Sequence, residues 1–94
     1  MSIGLLTLHI RLPGCTSLKE KRSRLKPLLA RLHREFNISV AEINRQDAWS
    51  EAVIACAVVS NDPNHNRQAL QHIIQWVEAS WPDLTLFDES IEIL

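Results

Sequence analysis

Leu6-Thr7-Leu8-His9-Ile10-Arg11-Leu12-Pro13-Gly14-Cys15-Thr16-Ser17-Leu18-Lys19-Glu20 sets the first half of the fold. From Ile3 to Leu12 the residues alternate, with Leu6, Leu8, Ile10 and Leu12 on one side and Leu5, Thr7, His9 and Arg11 on the other. That period predicts a strand with one buried face. Pro13-Gly14 ends it. Ser17 then stands where a hydroxyl accepts from a first-turn amide, and Glu20, three residues on, completes a capping box, so a helix begins near Leu18.

Outward from there, Leu18, Leu25, Leu28, Leu29, Leu32 and Phe36 share one stripe at the helical period, the face this helix buries. Pro27 interrupts the pattern. Its ring clashes with the carbonyl of Ser23 and it donates no hydrogen bond, a cost of about 3 kcal/mol in a helix interior. Either the helix kinks at Pro27, or Leu18 to Lys26 is a separate turn and the main helix starts at Pro27. The stripe stays in phase across the proline, which favours the kink.

Ile38 to Ile43 reads as a second strand and the apolar run Ala52 to Val59 as a third, with Asn44-Arg45-Gln46-Asp47 in a hairpin connection between them. Asp62-Pro63 supplies an N-cap and a first-turn proline, and Leu70, Ile73, Ile74, Val77 and Trp81 recur at helical spacing. Trp81-Pro82-Asp83 closes that second helix near Ser80. Leu84 to Leu94 is the last strand, bent near Asp88-Glu89-Ser90. The order βαββαβ in one 94-residue domain, residues 1–94, predicts an α+β ferredoxin-like sandwich: a four-stranded antiparallel sheet with two helices on one face.

The net charge of −1 conceals a division along the chain. Residues 1–34 hold eight of the ten basic residues against the single acid Glu20, a balance of +7; residues 35–94 hold Arg45 and Arg67 against ten acids, a balance of −8. Such asymmetry points to an anionic partner, or to surfaces of opposite sign that meet in self-association. Cys15 and Cys56 form no C-x-x-C motif, no signal-peptide pattern opens the chain, and no apolar run approaches the ~20 residues of a membrane span. A reducing, cytoplasmic setting without a membrane role is the expectation.

Four ordered blocks carry a resemblance over almost the whole chain: Gly4-Leu5-Leu6-Thr7-Leu8; Pro13-Gly14 through Ser17-Leu18-Lys19-Glu20-Lys21-Arg22; Phe36-Asn37-Ile38-Ser39-Val40-Ala41-Glu42; and Ala57-Val58-Val59-Ser60-Asn61-Asp62. Together they resemble the YlxP-like family of small bacterial proteins of unknown function. The resemblance implies a ferredoxin-like fold, no established enzyme activity, and a gene neighbourhood of transcription and translation factors that points toward the ribosome or RNA. Pro27 departs from the family's pattern, in which a non-proline residue is usual.

The functional candidates are basic. Lys19, Arg22 and Lys26 line one flank of the apolar stripe, Arg24 and Arg31 the other, Arg34 faces away, and Lys21 lies close to the stripe. With Arg11 these eight residues form the candidate nucleic-acid-binding set, since a cationic helix face neutralises phosphates. The ordinary alternative is a solvated helix face whose long side chains cover apolar surface. Base stacking on the open sheet face is disfavoured, because the first strand offers only Thr7, His9 and Arg11, the third carries no aromatic residue, and the chain has two Phe and no Tyr. That face, which carries Leu5 and other apolar residues, is instead suited to cover by another subunit in a homo-oligomer. Trp81 is in phase with the buried stripe and belongs with the core, Trp76 lies off that stripe at the border of a contact surface, and Trp49 precedes the third strand.

No catalytic, metal or cofactor site emerges. His9, His33, His65 and His72 lack metal-ligand spacing, Asp88, Glu89 and Glu92 read as a solvated edge strand, and neither Gly4 nor Gly14 belongs to a phosphate loop. Cys15, before a helix start, has no partner base in the sequence. The expectation is a binding protein, ribosome- or RNA-associated, and not an enzyme; the alternative is a homo-oligomeric interaction module with no nucleic-acid role.

Overall fold

The alternation from Ile3 onward is realised as strand β1, Ser2–Arg11, whose residues are buried and half-buried in turn. The structure, a computed structural model, describes residues 1–45 and 47–94; Gln46 of the expected hairpin connection lies outside the described residues. Helix α1 spans Leu18–Phe36, β2 Ser39–Asn44, β3 Glu51–Ser60, α2 Pro63–Ser80 and β4 Thr85–Ile93. The strands pair antiparallel in the order β2-β3-β1-β4. Both central strands are thus the long apolar ones, paired on each side over most of β1 and over the middle of β3.

Leu6, Leu8, Ile10 and Leu12 are fully buried, and they meet Leu25, Leu28 and Leu32 of α1 and Leu70, Ile73 and Val77 of α2 in one core. Helix α1 packs over β2, while α2 packs over β1, β4 and β3. Gly4 sets how closely α2 approaches: a Cβ there would stand 3.0 Å from Leu70 Cδ1 and 3.2 Å from Asn66 Cβ. Gly14 has a φ of 74°, the left-handed turn that Pro13-Gly14 signals.

Three local expectations are refined. Ser17 caps α1, accepting from Glu20 N at 3.1 Å, but the Glu20 carboxylate reaches Thr16, accepting from its N–H at 3.0 Å and its hydroxyl at 3.1 Å, one residue before the cap. Those bonds, the backbone one foremost, hold the Glu20 carboxyl below its ordinary pKa. Pro27 lies inside a helix that runs unbroken from Leu18 to Phe36, which removes the separate-turn alternative. The irregularity of β4 falls at Phe87 rather than at 88–90: His9 pairs with Asp88 and Ile10 with Leu86, leaving Phe87 as the extra residue of a bulge.

Candidate nucleic-acid interface

Helix α1 winds the eight candidates onto different surfaces, and only some of them reach solvent together. Lys19, Arg22, Lys26 and Arg34 are exposed. At 1.5 Å per residue Lys19 and Lys26 stand about 10 Å apart along the axis and Lys26 and Arg34 about 12 Å, a cationic ridge that runs from the flank of the apolar stripe at Arg22 round to the outward side of α1 at Arg34. None of the four takes part in an ion pair among the described residues. The acids nearest in sequence are committed elsewhere, Glu20 to Thr16 and Glu35 to Arg31.

Lys21 is corrected out of the set. It is 1% exposed, and its ammonium donates to the carbonyl of Arg45 and sits 2.8 Å from Glu42 Oε2, off-axis for a hydrogen bond but close enough for an ion pair. On the helical wheel Lys21 falls between Leu28 and Leu32, and Glu42 shares the core-facing side of β2 with Val40. A charge buried at that position requires a paired counter-charge. The signal was therefore present in the sequence, in two segments whose meeting only the fold supplies.

Arg24 and Arg31 also have structural occupations. Arg24 donates through Nη1 to Pro13 O at 2.9 Å and through Nη2 to Asp83 O at 2.8 Å, tying the β1–α1 loop to the α2–β4 turn. Arg31 lies 5.2 Å from the Trp76 ring centre and 5.7 Å from that of Trp81, and pairs with Glu35 at 3.5 Å. Trp76 in turn meets Phe36 edge-on at 5.5 Å, so Trp76 and Trp81 seal the margin of the core. Arg11 is on the opposite face of the sheet, its guanidinium 4.5 Å over Phe87. The bulge in β4 thus brings one aromatic to the open face, a residue that strand-by-strand reading passes over.

Beside the ridge, Arg22, Leu25, Lys26, Leu29 and Glu42 line a shallow groove of about 240 Å³ between α1 and β2. Arg22, Lys26 and the Glu42 side chain rim an apolar floor of Leu25 and Leu29. Among the described residues no group of three or more His, Cys, Asp or Glu side chains is placed to hold a metal ion, and no helix is long and apolar enough to cross a membrane. Cys15 donates its S–H to Ser17 O at 3.4 Å, and burial pushes the Cys56 thiol up to about 12.

Comparison with known proteins agrees with this architecture. A de novo designed protein with a ferredoxin fold superposes with a TM-score of 0.53 at 10% identity, over 100% of this chain and 83% of its own. A VAO-type flavoprotein of Myceliophthora thermophila C1 gives a TM-score of 0.60 at 9% identity over 99% of this chain, which spans only 18% of that protein's length. At such identities the likeness is one of fold alone. In sequence, the chain is 37% identical over 68 residues to the "Uncharacterized protein YlxP" of Bacillus subtilis (strain 168), covering 72% of this chain and 73% of that one. Residues 3–91 match the model described as "Protein of unknown function (DUF503)", and the chain belongs to that YlxP-like family.

Proposed function

We propose that this chain is a binding protein for RNA, in the setting of the ribosome, and that it contacts the phosphate backbone along the outer face of α1. The observation that carries the reading is the ridge Lys19, Arg22, Lys26 and Arg34, four exposed cations with no carboxylate partner among the described residues. Phosphate oxygens would supply the counter-charge, and release of their condensed counterions drives such binding. The groove floored by Leu25 and Leu29 offers a base-sized apolar seat beside Arg22 and Lys26, so an unpaired nucleotide suits it better than a duplex. The gene neighbourhood of the YlxP-like family supports the same setting.

The test is RNA binding and ribosomal co-sedimentation over a salt series. Four phosphate contacts on a single strand give a log–log slope of about −3. A Lys19→Gln, Arg22→Gln, Lys26→Gln variant should keep its fold and bring the slope to about −1. Lys21 must be left intact, because its loss acts on folding. A folded wild-type protein that binds neither RNA nor ribosomal particles at low salt refutes the proposal, as does a triple variant with unchanged binding.

A further inference from the structure

Among the described residues no helix or strand packs over the face of the sheet opposite the helices. Its centre is small and flat, with Thr7 between Ala55 and Ser90 and with Ala41 beyond Ala55. Larger apolar side chains stand out around that centre: Ile43 at 50% exposure, Phe87 at 43% and Val59 at 63%. Val53 is buried yet belongs to no part of the core, which places it on this side as well. Outside the termini, the only other large apolar side chain exposed among the described residues is Trp49, two residues before β3.

We propose that two copies of this chain pack open face to open face about a two-fold axis running along the strands, laying β4 of each copy over β2 of the other. Area, charge and shape each bear on the choice. Four strands spaced by about 4.8 Å and some eight residues long present about 500–600 Å² per copy, so a pair buries about 1,000–1,200 Å². Specific interfaces begin near 1,200 Å², and only use of the whole face reaches that figure. Aligned packing of two sheets permits two closed arrangements, with the axis along the strands or across them.

Charge separates these arrangements. Asp88 lies level with His9 and Glu92 level with Leu5, both on the open side of β4. An axis across the strands would set Asp88 and Glu92 of one copy directly on Glu92 and Asp88 of the other, four carboxylates face to face. With the axis along the strands, β2 lies opposite instead. There Glu92 meets the level of Ser39, and Asp88 meets the level of Asn44 beside Arg45.

Shape agrees with charge. Ile43 sits at the bulge of β2 opposite Val53, and Val53 is level with His9, whose ring is 6.0 Å from that of Phe87. The axis along the strands therefore seats Phe87 of one copy on Ile43 of the other, twice, and sets Ala55 over Thr7 at the centre. The proposal uses the side of the sheet away from α1 and stands independently of RNA binding.

Light scattering over a concentration series extending to the millimolar range should reach twice the 10.7 kDa of the chain. An Ala55→Arg variant should stay folded by circular dichroism and remain a monomer. A protein with both Ile43→Cys and Phe87→Cys should be trapped as a covalent dimer by a short bis-maleimide, which adds one thiol across each of its two C=C bonds and bridges the ~10 Å between facing sheets. Either single variant should not be trapped. Within one copy the two positions are three strand spacings apart, about 14 Å, and a bridge between them would leave the mass of a monomer. The native Cys15 and Cys56 are buried and do not compete. A wild-type monomer at every concentration overturns the proposal, as does a folded Ala55→Arg dimer; if that variant does not fold, failure of the double-cysteine dimer to cross-link overturns it.

Discussion

Removing one partner of the Lys21–Glu42 pair should cost stability unequally. The Lys21 side chain is 2% exposed and that of Glu42 21%. Glu42→Ala leaves a buried ammonium with the Arg45 carbonyl as its only hydrogen-bond acceptor among the described residues, and an uncompensated buried charge costs about 3–5 kcal/mol. Lys21→Met keeps most of the methylene packing and leaves a carboxylate on a side chain that is one-fifth exposed, so about 1–2 kcal/mol is expected. The double change Lys21→Met, Glu42→Leu removes both charges and should recover most of the loss, because well-packed apolar pairs replace buried ion pairs at little cost. A chain of this size has a total stability of about 5–14 kcal/mol, so Glu42→Ala consumes a large share of it. Urea unfolding followed by far-ultraviolet circular dichroism measures all three. Equal costs for the two single variants, or a cost below about 1 kcal/mol for Glu42→Ala, would refute the buried-pair reasoning. Lys21→Met should also leave the salt slope of RNA binding unchanged.

Two further outcomes follow from the helices and the core. Pro27→Ala should stabilise the protein by about 1–3 kcal/mol in the same urea assay, since it restores an N–H to the Ser23 carbonyl and removes the ring from an exposed position of α1. Cys56 favours its neutral thiol in the folded state, with its pKa raised from 9.0 to about 12. The stability it contributes is therefore complete below pH 9 and is lost as pH rises from 9 toward 12, by up to roughly 4 kcal/mol. Cys56→Ala should flatten the decline over that window, which urea midpoints across alkaline pH will show; with no tyrosine in the chain, fewer groups overlap it.

The elements were legible because each is governed by short-range chemistry. Alternation from Ile3 to Leu12, the Ser17 cap and the Asp62-Pro63 start all act within a few residues, and each appears where local reading places it. The bulge at Phe87 was not legible, because it arises from the register of β4 against β1 and not from the composition of β4. The candidate site was half legible. A helical wheel sets Lys19, Arg22 and Lys26 on one flank of the core stripe, Arg24 and Arg31 on the other and Arg34 away from it, but says nothing of what lies across the gap.

What the sequence determined by itself is the order of strands and helices, the face each one buries, and the concentration of positive charge on α1, since periodicity and charge are properties of the chain. The tertiary structure alone decided which charges are free. Lys21 is taken by Glu42 from β2, Arg24 by the carbonyls of Pro13 and Asp83 in two neighbouring loops, and Arg31 by Trp76 and Trp81 of α2 and its end. Each of these partners is remote in sequence and adjacent only after the layers pack. A charge's availability depends on its neighbours in space, and those neighbours are set by the fold.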